Sequence, residues 1–167
     1  IMERLVGSEM CIRDRSGFNK NSQIGDPIFI IAEIGINHNG DLEQARTLMK
    51  IAKDSGCDAV KFQKRTIDIV YTQDFLKEHR ESPWGTTQRE QKEGLEFDES
   101  DYREIDSFAK EIDIIWFASA WDIPSQDFLN KFNIPINKIA SAMATNLEFV
   151  EHVAKEQKPT FASTGMT

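Results

Sequence analysis

Glu33, Lys61, Gln63, Ser119, Lys138, Ser141, Ser163 and Thr164 are polar residues that stand where apolar runs of this chain end. Glu33, in "AEIGINHNG", is a carboxylate at the end of one such run, and an ionised carboxylate there needs a partner or a task. In "VKFQK" the two-residue period of a strand puts Lys61 and Gln63 on one face and Phe62 on the other, so a buried Phe62 turns both polar groups inward. Inward lysines need an anion. Lys61 and Lys138, with the hydroxyls of Ser119, Ser141 and Ser163, suit a phosphate or carboxylate whose charge strengthens each hydrogen bond. The competing reading is an ion pair of Glu33 with Lys61 or Lys138 and nothing bound, with the serines bonding within their own loops. His38 is expected to orient the Asn39-Gly40 turn rather than bind metal, His79 and His152 lack metal-ligand spacing, and Cys57 reads as a small packing residue.

These residues need strands to carry them. "IFIIAEIG" is a continuous apolar run, and "DLEQARTLMKIAKDSG" follows with helical spacing of Leu42, Ala45, Leu48, Met49 and Ala52. Asp41 suits the N-cap of that helix and Gly56 its C′ position. "DAVKFQK" closes a β-α-β unit with a parallel crossover. The polar stretch "ESPWGTTQREQKEGLEF" reads as a long, functional loop, and "DFLKEHRE" before it as a solvated charge run. Alternation then resumes with helix "ESDYREIDSFAKEI", strand "IIWFASA", helix "IPSQDFLNKF", strand "INKIAS", helix "NLEFVEHVAKEQ" and strand "PTFAST". Five strands and four helices predict an α/β parallel sheet, for which a doubly wound sheet and a (β/α)8 barrel both fit; both place their sites at the carboxyl ends of strands.

A net charge of -8 argues against a nucleic-acid footprint, and no apolar stretch reaches membrane-spanning length. Two cysteines, Cys11 and Cys57, form no disulfide framework and fit a reduced, cytoplasmic compartment. Residues 1–25 read as a non-native or flexible segment: residues 1–15 lack the shape of a signal peptide, and "MCIRDR" matches the translation of a transposon-library sequencing adapter. Residues 26–167 form the single expected domain.

"IIAEIGINHNGDLEQA", "DAVKFQKRT", "SPWGTTQREQKEGLEF", "WFASAWD", "NKIASA" and "FASTGM", in this order, resemble the N-acetylneuraminate (sialic acid) synthases, a family that includes legionaminate and pseudaminate synthases. The resemblance implies a (β/α)8 TIM barrel, present here as about five β/α units. It implies a transferase that condenses phosphoenolpyruvate with N-acetylmannosamine or a related amino sugar, assisted by a divalent metal, manganese or magnesium. Carried over by position, Lys61, Ser119, Lys138, Ser141 and Ser163 bind phosphoenolpyruvate, Gln63 contacts the sugar, and Glu33 and Lys61 are catalytic. The resemblance puts the metal-binding histidines in barrel strands beyond this chain, so no metal ligand is assigned here, and it implies a homodimeric parent. "AMATN" after Ser141 departs from the "GSGE"-like run of some members. The chain is accordingly expected to be a truncated product, inactive by itself. The rival enzymatic reading is a Schiff-base aldolase with Lys61 or Lys138 as nucleophile; the non-enzymatic one is a sugar- or anion-binding module.

Overall fold

The computed structural model describes residues 28–165, so the adapter-like segment, the boundary at residue 25 and Cys11 lie outside the described residues. Strand β1 spans Ile31–Gly35 and helix α1 Leu42–Asp54. Asp41 caps α1 by accepting from the Glu43 and Gln44 N–H groups at 2.8 and 3.1 Å, and Gly56 follows the cap residue Ser55 with φ +84°, as the sequence predicts. Ala45, Met49 and Ala52 are the buried stripe of α1. Strand β2, Ala59–Lys64, completes the first parallel crossover.

Between β2 and the next core helix the chain departs from the expected loop. It folds as two short helices, α2 (Ile67–Val70) and α3 (Gln73–Lys77), then an antiparallel hairpin of β3 (His79–Ser82) and β4 (Gly85–Thr87), then α4 (Gln88–Leu95). "DFLKEHRE" is thus half helix and half strand, with Leu76 buried. Polar composition misleads here because the order comes from caps, two buried leucines, Leu76 and Leu95, and a few aromatic contacts. Thr87 and Glu90 form a reciprocal capping box, and Trp84 lies so close over Gly94 that a Cβ there would sit 2.2 Å from the indole ring.

Helix α5 (Glu99–Glu111), strand β5 (Ile115–Ala120), helix α6 (Ile123–Asn130), strand β6 (Asn137–Ile139), helix α7 (Leu147–Ala154) and strand β7 (Thr160–Ala162) restore the alternation. A 3-10 turn over Ser141–Met143 links β6 to α7. The five-stranded parallel sheet has the order β1-β2-β5-β6-β7. Strand order follows chain order without reversal, so the switch point that defines a doubly wound sheet is missing from the described residues. One face of the sheet is covered: Phe62 is fully buried and meets Tyr102 of α5 and Trp116 edge-on, as the inward turn of Lys61 and Gln63 requires.

Two carboxylates, one buried and one half-buried, fasten the helices to this sheet. Asp122, 4% exposed, accepts from the N–H and hydroxyl groups of both Thr66 and Ser125 at 2.7 to 2.9 Å, joining the end of β2 to the start of α6. Glu156 accepts from the amides of Gln126, Asn130 and Asn137 at 2.7 to 2.9 Å and pairs with Lys158 at 3.3 Å. Burial pushes the Glu156 carboxyl upward, but those three donors and the lysine outweigh it and hold it below the usual range.

Candidate functional site

The uncovered face of the sheet forms an open cavity of about 450 Å³. Parallel register builds it in two rows. Glu33 stands opposite Lys61 and Lys61 opposite Phe117; one step along, Gln63 stands opposite Ser119, Ser119 opposite Lys138, and Lys138 opposite Phe161. Ser141, at the start of the 3-10 turn, and Ser163, whose N–H bonds the Ile139 carbonyl at 3.0 Å, complete the rim. Glu33, Lys61, Gln63, Ser119, Lys138, Ser141 and Ser163 therefore all line one cavity, as the sequence predicts. Thr164 does not; it lines a second, more apolar hollow beside α7.

The electrostatics are unbalanced. Lys61 Nζ lies 2.5 Å from Glu33 Oε2, the pairing expected with nothing bound, yet the Glu33 side chain stays 49% exposed toward the cavity. Lys138 is buried and hydrogen-bonds Ser163 Oγ. Burial first, and the like charge of Lys61 second, lower the Lys138 ammonium below its ordinary range, while Glu33 partly offsets them. Two lysines against one carboxylate leave a positive charge for an anion to neutralise. Among the described residues no cluster of three or more His, Cys, Asp or Glu side chains could hold a metal.

The loop after β1 is held from behind. His38 is 2% exposed, its Nδ1 accepts the Gly40 N–H at 3.1 Å, and its ring stacks on Phe97 with centroids 4.0 Å apart. Burial lowers its pKa to about 4, against a hydrogen bond with the Gly35 backbone that raises it. It orients the turn as a neutral ring. Between pH 6.5 and about 4 the unfolded chain binds a proton at this histidine and the folded chain does not, so stability falls as pH falls through that window, by up to about 3 kcal/mol. Denaturant unfolding of the full-length protein from pH 7.5 to 4.5 should show this slope, and His38→Asn should flatten it; equal slopes would refute it.

Phe117, Phe161 and Trp121 also line the cavity and were not anticipated as site residues. The first and third share the parity of Ser119, so the same two-residue period could have found them. His79 is exposed on β3, His152 Nε2 lies 2.7 Å from Asp127, and Cys57 is a free thiol packed against the core, as expected of each outside the site.

The sequence model of the NeuB family matches residues 48–167. The chain belongs to the NeuB family. Human N-acetylneuraminate-9-phosphate synthase (Homo sapiens) is 39% identical over 142 residues, which are 84% of this chain and 40% of that protein. The N,N'-diacetyllegionaminic acid synthase of Legionella pneumophila is 38% identical over 141 residues, 83% of this chain and 40% of the relative. The N-acetylneuraminic acid (sialic acid) synthetase of Leptospira borgpetersenii, solved in complex with citrate, superposes with a TM-score of 0.73 at 26% identity, covering 85% of this chain and 46% of that one. This NeuB chain thus spans about 40% of the length of the curated relatives it matches. No helix among the described residues is long and apolar enough to cross a membrane.

Proposed function

We propose that the full-length protein condenses phosphoenolpyruvate with N-acetylmannosamine or a related N-acetylated amino sugar, giving a sialic-acid-type nonulosonate and phosphate. The observation that carries this reading is the convergence of Lys61, Lys138, Ser119, Ser141 and Ser163 on one cavity beside Glu33, in a chain whose relatives are nonulosonate synthases. The lysines and hydroxyls bind the phosphate and carboxylate of phosphoenolpyruvate, and Gln63 contacts the sugar. Phosphoenolpyruvate neutralises Lys61 and thereby frees Glu33 to act on the reacting carbons, stabilising positive charge that develops at C2 or activating water there. Residues 26–167 are the N-terminal part of a (β/α)8 barrel in this reading, which the unreversed strand order supports, and the parent is a cytoplasmic homodimer. The resemblance also brings a divalent metal, but the cavity is lined by one carboxylate, Glu33, which is bound to Lys61, and by no histidine, so the described residues do not fit that ion.

Phosphate release by the full-length protein that requires both phosphoenolpyruvate and the amino sugar is the expected result; release without the sugar, or none, would overturn the assignment. The lowered ammonium of Lys138 also favours an imine-forming aldolase, since a neutral amine is the nucleophile there. Borohydride with pyruvate should leave the protein unlabelled if the synthase reading is right.

An anion bound beside Lys138 raises its proton affinity. Phosphoenolpyruvate binding should therefore take up a proton increasingly as pH rises toward the lowered range of Lys138, and should weaken as pH climbs further. Calorimetry in buffers of different ionisation enthalpy measures this uptake; Lys138→Gln should remove it, and a buffer-independent heat would count against the assignment.

A further inference from the structure

Strand β1 does not run straight to its end. Glu33 faces Lys61, but the next pairing is Gly35 with Phe62, so Ile34 and Gly35 together oppose one residue of β2. An extra residue of this kind bends a strand and re-aims the side chains beside it. Gly35 takes φ +57°, and a Cβ there would lie 2.9 Å from Glu33 Oε1 and 3.3 Å from Gln63 Nε2. The bare glycine is thus the surface against which the carboxylate rests. On its far side Gly35 shares a hydrogen bond with His38, which also takes the Gly40 N–H and is clamped against Phe97. Gly40 is pinned in turn, because a Cβ on it would meet the Gly94 carbonyl oxygen at 2.0 Å.

We infer that His38 is a positioning residue, which holds the bulged end of β1 through the Gly35 and Gly40 backbones and so fixes where the Glu33 carboxylate points into the cavity. This rests on the synthase reading above. His38 is buried and does not line the cavity, so its effect on the reaction passes through the Gly35 turn to Glu33. A structural prop would lower the amount of folded protein whatever residue stood at 33, whereas a positioning residue loses its kinetic effect when the group it aims is already disabled.

The test is a double-mutant cycle in the full-length protein, after the unmutated protein has been assayed for sugar-dependent phosphate release. His38→Phe keeps an aromatic ring against Phe97 and removes both hydrogen bonds. It should lower kcat about tenfold to a hundredfold and leave KM for phosphoenolpyruvate within about twofold. In the Glu33→Gln background the same change should lower kcat by less than about twofold. An equal fold-loss in both backgrounds, or a defect confined to KM, would overturn the inference while leaving the synthase reading intact. An inactive unmutated protein would overturn the reading and this inference together. If His38→Phe does not fold, His38→Asn, whose Oδ1 can still accept from Gly40, enters the same cycle: a kcat loss that Glu33→Gln abolishes supports the inference, and an undiminished loss rejects it.

Discussion

Replacing Lys61 by alanine in the full-length protein should weaken phosphoenolpyruvate binding at least tenfold. The Lys61 side chain is only 13% exposed and bridges Glu33 to the cavity, so its ammonium is the cation an incoming anion meets beside that carboxylate. Losing one charge-assisted contact costs about 1.5–3 kcal/mol, roughly tenfold to a hundredfold in affinity. Turnover should fall as well, because phosphoenolpyruvate loses the cation that seats it beside Glu33. Titration calorimetry with phosphoenolpyruvate, followed by steady-state phosphate release, measures both. Lys92→Ala should change neither, since Lys92 stands over Tyr71 and Phe75 and does not line the cavity. Wild-type affinity in the Lys61 variant would remove this residue from the site.

The second large effect concerns stability. Gly40→Ala should destabilise the full-length protein by about 3 kcal/mol or more, combining a left-handed backbone that L-residues resist, about 1–2 kcal/mol, with a methyl driven into a carbonyl. Gly40 has φ +68°, and its Cβ would stand 2.0 Å from the Gly94 oxygen, a backbone atom that cannot swing aside. Gly56→Ala supplies the comparison. Its φ is +84° and nothing lies within 4 Å of the added Cβ, so it should lose only the conformational part. Equal shifts in denaturation midpoint for the two variants would show that the Gly40–Gly94 contact contributes nothing.

Much of the site could be read from residue order because it depends on a local rule. Side chains alternate along a strand, so a buried Phe62 turned Lys61 and Gln63 together, and parallel pairing then set Ser119 and Lys138 beside them. The ends of α1 were legible for a similar reason: Asp41 and Gly56 act within one turn of their own position. Residues 81–97 were not, although the Thr87–Glu90 capping box is a short-range signal that could have been seen. The hairpin there has mostly exposed strand residues, and α4 is anchored by Trp84 against Gly94, a contact no periodicity announces. The choice between a doubly wound sheet and sequential strand order was equally hidden, since it depends on which strands pair across long separations. The irregular pairing after Glu33 belongs with these, because it arises only when β1 meets β2.

Asn137 and Lys138 are neighbours on β6, but one bonds Glu156 and Gln126 on the helix-covered face while the other lines the cavity on the opposite face. Adjacent codons therefore answer to different selective pressures. In a saturation library scored twice, for protein abundance in the cell and for product formed, position 137 should be depleted in the abundance screen and position 138 chiefly in the activity screen. A change of chemistry at the second position is open only while the first is held, and an evolutionary record that averages the two sites would blur a boundary one peptide bond wide.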